Sequence, residues 1–184
     1  MRKFFSFLLV LMLVSCESET IPKPKAFLSL EYSEAVYSLL QLKRPYSFEV
    51  PENAKVSDEP KNWLKINYPE QNASLDITYR GIDNNLRELL IESERLVFKH
   101  TVKAEQIASN DYTNDAKRVY GKLYEITGNA ASQIQFHITD STKHFIKGAL
   151  YFNTKPNYDS ILPAVDYIKK DILRLMETFE WKDF

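Results

Sequence analysis

The sequence predicts an α+β fold, a mostly antiparallel sheet of about five to seven strands packed by two main helices. Three observations carry that expectation. Several runs, residues 74–80 and 131–139 among them, alternate apolar and polar side chains with the period of two that a strand requires. Residues 86–97 and 165–179 instead repeat apolar side chains at helical spacing. The strand-like runs come in blocks ahead of each helical run, which is the order of an α+β domain and not of strict βαβ alternation.

The N-terminus opens with Arg2 and Lys3, continues through the apolar residues 4–14 and ends at Leu13, Val14, Ser15 and Cys16, the three-part layout of an export signal. A membrane-spanning helix needs about 20 apolar residues, and this run stops short of that at acidic Glu17. The stretch Leu-Val-Ser-Cys resembles the bacterial lipobox, so Cys16 is expected to be the fatty-acylated first residue of the mature protein. Several acyl chains at roughly 0.8 kcal/mol per buried methylene would make that anchoring effectively permanent. Residues 16–25 are short, polar and marked by Pro22 and Pro24, as suits a semi-extended tether. The expected organisation is therefore a signal peptide over 1–15, a lipidated tether over 16–25 and a single globular domain over 26–184.

Composition bounds what that domain does. Cys16 is the one cysteine of the 184 residues, so the fold must rest on packing and not on disulfides. Hydrophobic residues make up 44% of the chain, enough for one real core in a domain of this size. Without Arg2 and Lys3 the 24 basic residues fall to 22 against 25 acidic ones, and the formal charge moves from −1 to −3. Both signs are interspersed, which argues against nucleic acid and against attachment through a polybasic patch.

Within the domain, residues 27–32 alternate as a short strand or docking segment, and Lys43, Arg44 and Pro45 break the chain before a strand at 46–50. Residues 63–68 and 74–80 read as an antiparallel hairpin, with Leu75, Ile77 and Tyr79 on one face and Asp76 and Thr78 on the other. From Asn85 the period becomes helical through Leu86, Leu89, Leu90, Leu96 and Val97, with Asn84 or Asn85 as N-cap. Residues 109–115 are a loop by composition. Residues 118–127, 131–139 and 143–153 then form a three-stranded meander, joined through Gly128 and Asn129 and through a turn at residues 139–142. Gly121 and Gly148 inside strands imply a bulge there, or the close approach of a large aromatic side chain or a helix. A final helix carries Val165, Ile168, Ile172, Leu175, Met176 and Phe179, with Asp159 or Ser160 as cap and Pro163 in its first turn. This order of elements resembles the PsbP-like α/β/α sandwich.

The polar set Gln133, Gln135, His137, Asp140, Ser141 and His144 is the densest candidate site. Ser, His and Asp do occur together, but hydrolytic triads draw their members from separated segments, and Asp140-Ser141 most simply builds a turn. Gln133, Gln135, His137 and Thr139 share one strand face, read as a solvated sheet face; Gln133, Gln135, His137, Asp140 and His144 are the binding candidates. No catalytic set and no cofactor is expected. His100, His137 and His144 lack the spacing and the cysteine partners of a metal site. With four glycines in the chain, there is no glycine-rich loop to cradle a phosphate.

The lipobox, the segment Pro-Lys-Pro-Lys-Ala-Phe at 22–27 and above all the run GNAASQIQFHITDSTKHFIKGALYFNTKPNYDSILP at 128–163 together resemble the gliding motility lipoprotein GldD family of Bacteroidetes bacteria. The resemblance implies a non-enzymatic component or accessory of the gliding and type IX secretion machinery, held in the outer membrane facing the periplasm, with other envelope proteins of that machinery as partners. From matching positions it carries over only the lipidated Cys16. The alternative reading of the residues is a periplasmic ligand-binding or hydrolytic domain that uses the polar face at 133–144.

Overall fold

The computed structural model describes residues 32–155 and 157–183. Cys16, the expected signal and tether, and residues 27–31 of the first expected strand lie outside the described residues.

Seven strands form the main sheet: β4 (Lys55–Glu59), β5 (Trp63–Tyr68), β6 (Ala73–Gly81), β7 (Ala104–Asn114), β8 (Val119–Gly128), β9 (Ser132–Thr139) and β10 (His144–Phe152). Their spatial order is β4-β5-β6-β10-β9-β8-β7, and every pairing is antiparallel. The hairpin β5–β6 and the meander β8–β9–β10 are those read from alternation and turn residues. Two small sheets flank them, β1 (Tyr37–Leu39) with β3 (Glu49–Pro51), and β2 (Tyr46–Ser47) with the C-terminal β11 (Glu180–Trp181). The single strand expected at 46–50 is thus split at Phe48, because its two halves pair with different partners. The segment 109–115, expected to be a loop, lies mostly in β7, whose residues 104–114 pair along β8.

Helix α1 (Leu86–Phe98) follows β6, and α2 (Tyr158–Thr178) follows β10. The helices take opposite faces of the sheet. On the α2 face, Ile161, Val165, Ile168, Ile172, Leu175 and Met176 pack with Leu64, Ile66, Leu75, Ile77, Ile134, Phe136, Ile138, Ile146 and Leu150 in one core. Each such side chain contributes about 1.5–3 kcal/mol by leaving water. Tyr46, Phe48 and Phe179 close one end with ring centroids 5.9–6.0 Å apart. On the other face, Val97 of α1 packs with Tyr124, Ile126 and Ala130 in a smaller cluster.

Two local expectations need correction. Asn157, not Asp159 or Ser160, occupies the N-cap of α2, so the helix starts at Tyr158 and Pro163 sits in its second turn. The start is fixed by Asn129, whose Oδ1 accepts the Tyr158 N–H at 2.9 Å. Asn85 does hold the N-cap of α1, but its Oδ1 takes the Asp83 N–H at 2.9 Å and bonds no helical N–H. The glycine reading is right at Gly148, where an added Cβ would stand 2.3 Å from the Phe136 ring. At Gly121 the close neighbour is backbone, the His137 carbonyl oxygen, at 2.4 Å.

Candidate functional site

The alternation of β9 and β10 divides the candidate residues between two places. Ile134, Phe136 and Ile138 enter the α2 core, so Gln133, Gln135, His137 and Thr139 project to the α1 side. His144 shares the opposite parity with Ile146 and Leu150 and lies on the α2 side, at the end of the sheet. Asp140 and Ser141 occupy the turn between the strands. The two histidines therefore sit on opposite faces.

The face expected to be solvated is buried: Gln133, Gln135, His137 and Thr139 keep only 2–6% of their surface exposed. The reason is α1, together with the aromatic side chains beneath it. Val97 seats on Tyr124 and Ile126, and the Tyr124 hydroxyl donates to Glu94 on the helix at 3.3 Å. The His137 ring stacks on Phe145 with centroids 5.7 Å apart and planes at 15°. Burial pushes the His137 pKa down to about 4, against a smaller opposing effect of Glu94. Gln133 answers its own desolvation by donating Nε2–H to the Ala130 carbonyl at 2.8 Å. His137 does not, since its Nδ1 is buried without a hydrogen-bond partner.

At the other place, Asp140 organises the β9–β10 turn. Its Oδ1 accepts the backbone N–H groups of Thr142, Lys143 and His144 at 2.9, 2.8 and 2.8 Å, and its Oδ2 accepts the Thr142 hydroxyl at 2.9 Å. Burial alone would raise the Asp140 pKa, but these donors outweigh it and hold the carboxyl below its ordinary range. Ser141 takes the left-handed backbone that this turn needs, at φ 67°, and its N–H donates to Thr139 Oγ1 at 2.9 Å. The His144 ring is engaged by other side chains. Its Nδ1 pairs with the Tyr79 hydroxyl at 2.7 Å, and it stacks on Trp181 at 5.1 Å. Asp140 thus bonds the backbone of His144 and not its imidazole.

Three residues that the sequence reading passed over complete this corner. Arg118, at the β7–β8 turn, donates Nη2–H to the Asp140 carbonyl at 3.3 Å and to Thr142 Oγ1 at 3.0 Å. Trp181 donates Nε1–H to the Arg118 carbonyl at 3.0 Å, which ties β11 to the same turn. Lys143 joins Arg118, Asp140 and His144 around a cleft of about 210 Å³. The arrangement holds two turns and the C-terminal strand together. Among the described residues no hydrogen bond links the Ser141 hydroxyl to His137 or His144.

Among the described residues no group of three or more His, Cys, Asp or Glu side chains is placed to hold a metal ion. The His100 side chain lies outside the described residues. No helix among the described residues is long and apolar enough to cross a membrane.

A seven-stranded antiparallel sheet with one helix on each face defines an α+β domain of the PsbP-like kind. The solution structure of cyanobacterial PsbP (CyanoP) from Synechocystis sp. PCC 6803 is similar to it, with a TM-score of 0.50, 14% sequence identity, and coverage of 84% of this chain and 99% of that one. That likeness concerns the fold. The particular family is given by sequence: the model described as "Gliding motility lipoprotein GldD" matches residues 17–181. The chain belongs to the GldD family of gliding motility lipoproteins. No curated protein matches the chain.

Proposed function

We propose that this protein is a non-enzymatic component or accessory of the gliding and type IX secretion machinery, anchored through fatty-acylated Cys16 in the outer membrane and facing the periplasm. Its working surface meets other envelope proteins of that apparatus. Membership of a gliding motility lipoprotein family supports the setting. The observation that carries the non-enzymatic reading is the use to which the candidate residues are put. Asp140 spends both carboxylate oxygens on its own turn, His144 is committed to Tyr79 and Trp181, and Gln133, Gln135 and His137 are buried beneath α1. A substrate could reach that last group only if the helix moved.

Crosslinking in intact gliding cells, followed by purification and mass spectrometry, tests the proposal. It predicts reproducible recovery of one or more envelope proteins of the machinery. Recovery of the protein alone, under conditions that crosslink other envelope complexes, would contradict it. Membrane fractionation combined with protease shaving tests the placement, which predicts outer-membrane material protected in intact cells.

A further inference from the structure

Lys147 lies midway along β10, on the face that α1 covers. In its cross-strand row it stands between Thr78 of β6 and His137 of β9, and beyond His137 comes Lys122 of β8. The two lysines are treated differently. Lys122 meets Asp111 of β7 at 3.2 Å, whereas no carboxylate of the described residues lies within ion-pair distance of Lys147. The nearest acidic influence is Glu92, already engaged by Arg80 at 3.0 Å. A half-buried ammonium without a partner is costly to hold, and its row neighbour His137 also keeps a buried nitrogen unpaired.

Helix α1 leaves room above this lysine. Its inward face runs Leu89, Ser93, Val97, all buried, and at Ser93 a small polar residue stands where helical spacing calls for a large apolar one. The result is a cleft of about 220 Å³ walled by Trp63, Leu89 and Phe145 and provided with polar groups by Arg80, Ser93 and Lys147. For scale, a dry cavity of about 150 Å³ accommodates benzene. Arg80, Lys147 and Glu92 together leave one net positive charge, which suits a monoanion better than a phosphate dianion brought beside Glu92.

We propose that the cleft between α1 and strands β5, β6 and β10 binds a small amphiphilic carboxylate. The anion pairs with the Lys147 ammonium and the Ser93 hydroxyl, and a ring-sized or short-chain apolar body lies against Trp63, Leu89 and Phe145. The site is separate from the residues at 133–144 and does not rest on the reading of the protein as a motility component. It gives Lys147 the counter-charge that the fold withholds.

Trp63 is 40% exposed and is one of two tryptophans in the chain, so its fluorescence reports on the cleft. The full-length protein in nanodiscs is titrated with phenylpropionate and with hexanoate, against their uncharged amides, with empty nanodiscs as the blank. The expected result is saturable quenching with a dissociation constant at or below about 5 mM for phenylpropionate and about 20 mM for hexanoate, as ligands of their sizes reach at ordinary efficiency. The amides should bind at least about tenfold more weakly, the margin one ion pair supplies. Lys147→Met should weaken carboxylate binding to the amide level, and Ser93→Leu, which fills the cleft, should abolish it. Neither change removes a hydrogen bond or ion pair seen in the fold, so thermal midpoints at or above the original keep loss of binding distinct from unfolding. Three results would each overturn the proposal: no saturable response to either carboxylate, equal binding by the Lys147→Met protein, or quenching that survives Trp63→Phe and so arises at Trp181.

Discussion

Replacing Asp140 with alanine separates a turn-building carboxylate from a catalytic one. The side chain accepts three backbone N–H groups and one hydroxyl, all within 2.9 Å, and a hydrogen bond to a charged group contributes about 1.5–3 kcal/mol. The four contributions do not add, because they share one carboxylate. Thr142 and Lys143 are also exposed, so water takes over part of what is lost. Asp140→Ala should therefore cost about 2–4 kcal/mol, lowering the melting temperature by roughly 4–16 °C in a domain of this size. Asp140→Asn keeps one acceptor oxygen and should lose about half as much. The pH dependence has a definite sign. A carboxyl held below its ordinary pKa stabilises the fold fully above about pH 4 and loses that contribution as pH falls through the lower folded value. The gap between the original protein and Asp140→Ala, measured by urea unfolding with circular dichroism, should be full at pH 7 and shrink below about pH 4. A loss under about 0.5 kcal/mol, typical of an unremarkable surface position, would refute the reasoning. So would an Asp140→Ala protein of unchanged stability that no longer supports gliding.

Gly148→Ala places a Cβ 2.3 Å from the Phe136 ring in the middle of the core, and should cost about 1–3 kcal/mol in urea unfolding. Adding Phe136→Leu to that variant should recover part of the loss; an additive double mutant would contradict the clash. His137, held at a pKa of about 4 by burial, binds fewer protons folded than unfolded between about pH 4 and 6.5. Stability should therefore fall as pH drops through that window, by roughly 2–4 kcal/mol, and His137→Phe should flatten that part of the curve. An identical pH profile in the variant would show that the ring is not the source.

Both helices and the central strands were legible in the sequence because each carries apolar side chains on one face and more polar ones on the other, whether or not water covers the polar face. Leu89 and Val97, or Leu75 and Ile77, then recur with the period of the element that carries them. The strands missed were the short β1 and β11 of the small sheets and the two edges of the main sheet. β4 (KVSDE) and β7 (AEQIASNDYTN) have mostly exposed or half-exposed side chains, so neither has an apolar face to repeat, and only backbone pairing to β5 and β8 makes them strands. The candidate site failed for a related reason. Alternation on β9 told correctly which residues share a face, but a single sequence does not say whether a face of Gln and His lies under water or under a helix. Ser93 was the available hint, since a serine in the buried stripe of α1 fits a helix packed over polar groups. Lys147 was another, a charge on the same strand face as Phe145 and Ala149. Arg44 left no such trace: it is buried, ion-paired with Asp58, and donates to the Glu59 carbonyl, linking the segment before β2 to the end of β4.

On the proposed reading, the folded domain acts where its lipid holds it and performs no chemistry of its own. Cys16→Ser, made at the chromosomal locus, tests this most directly, with fractionation, protein level and colony spreading read on the same cells. The expected result is a protein of near-normal abundance that leaves the membrane fraction, and colonies that cease to spread. Continued membrane association, or normal gliding with the protein released, would contradict it.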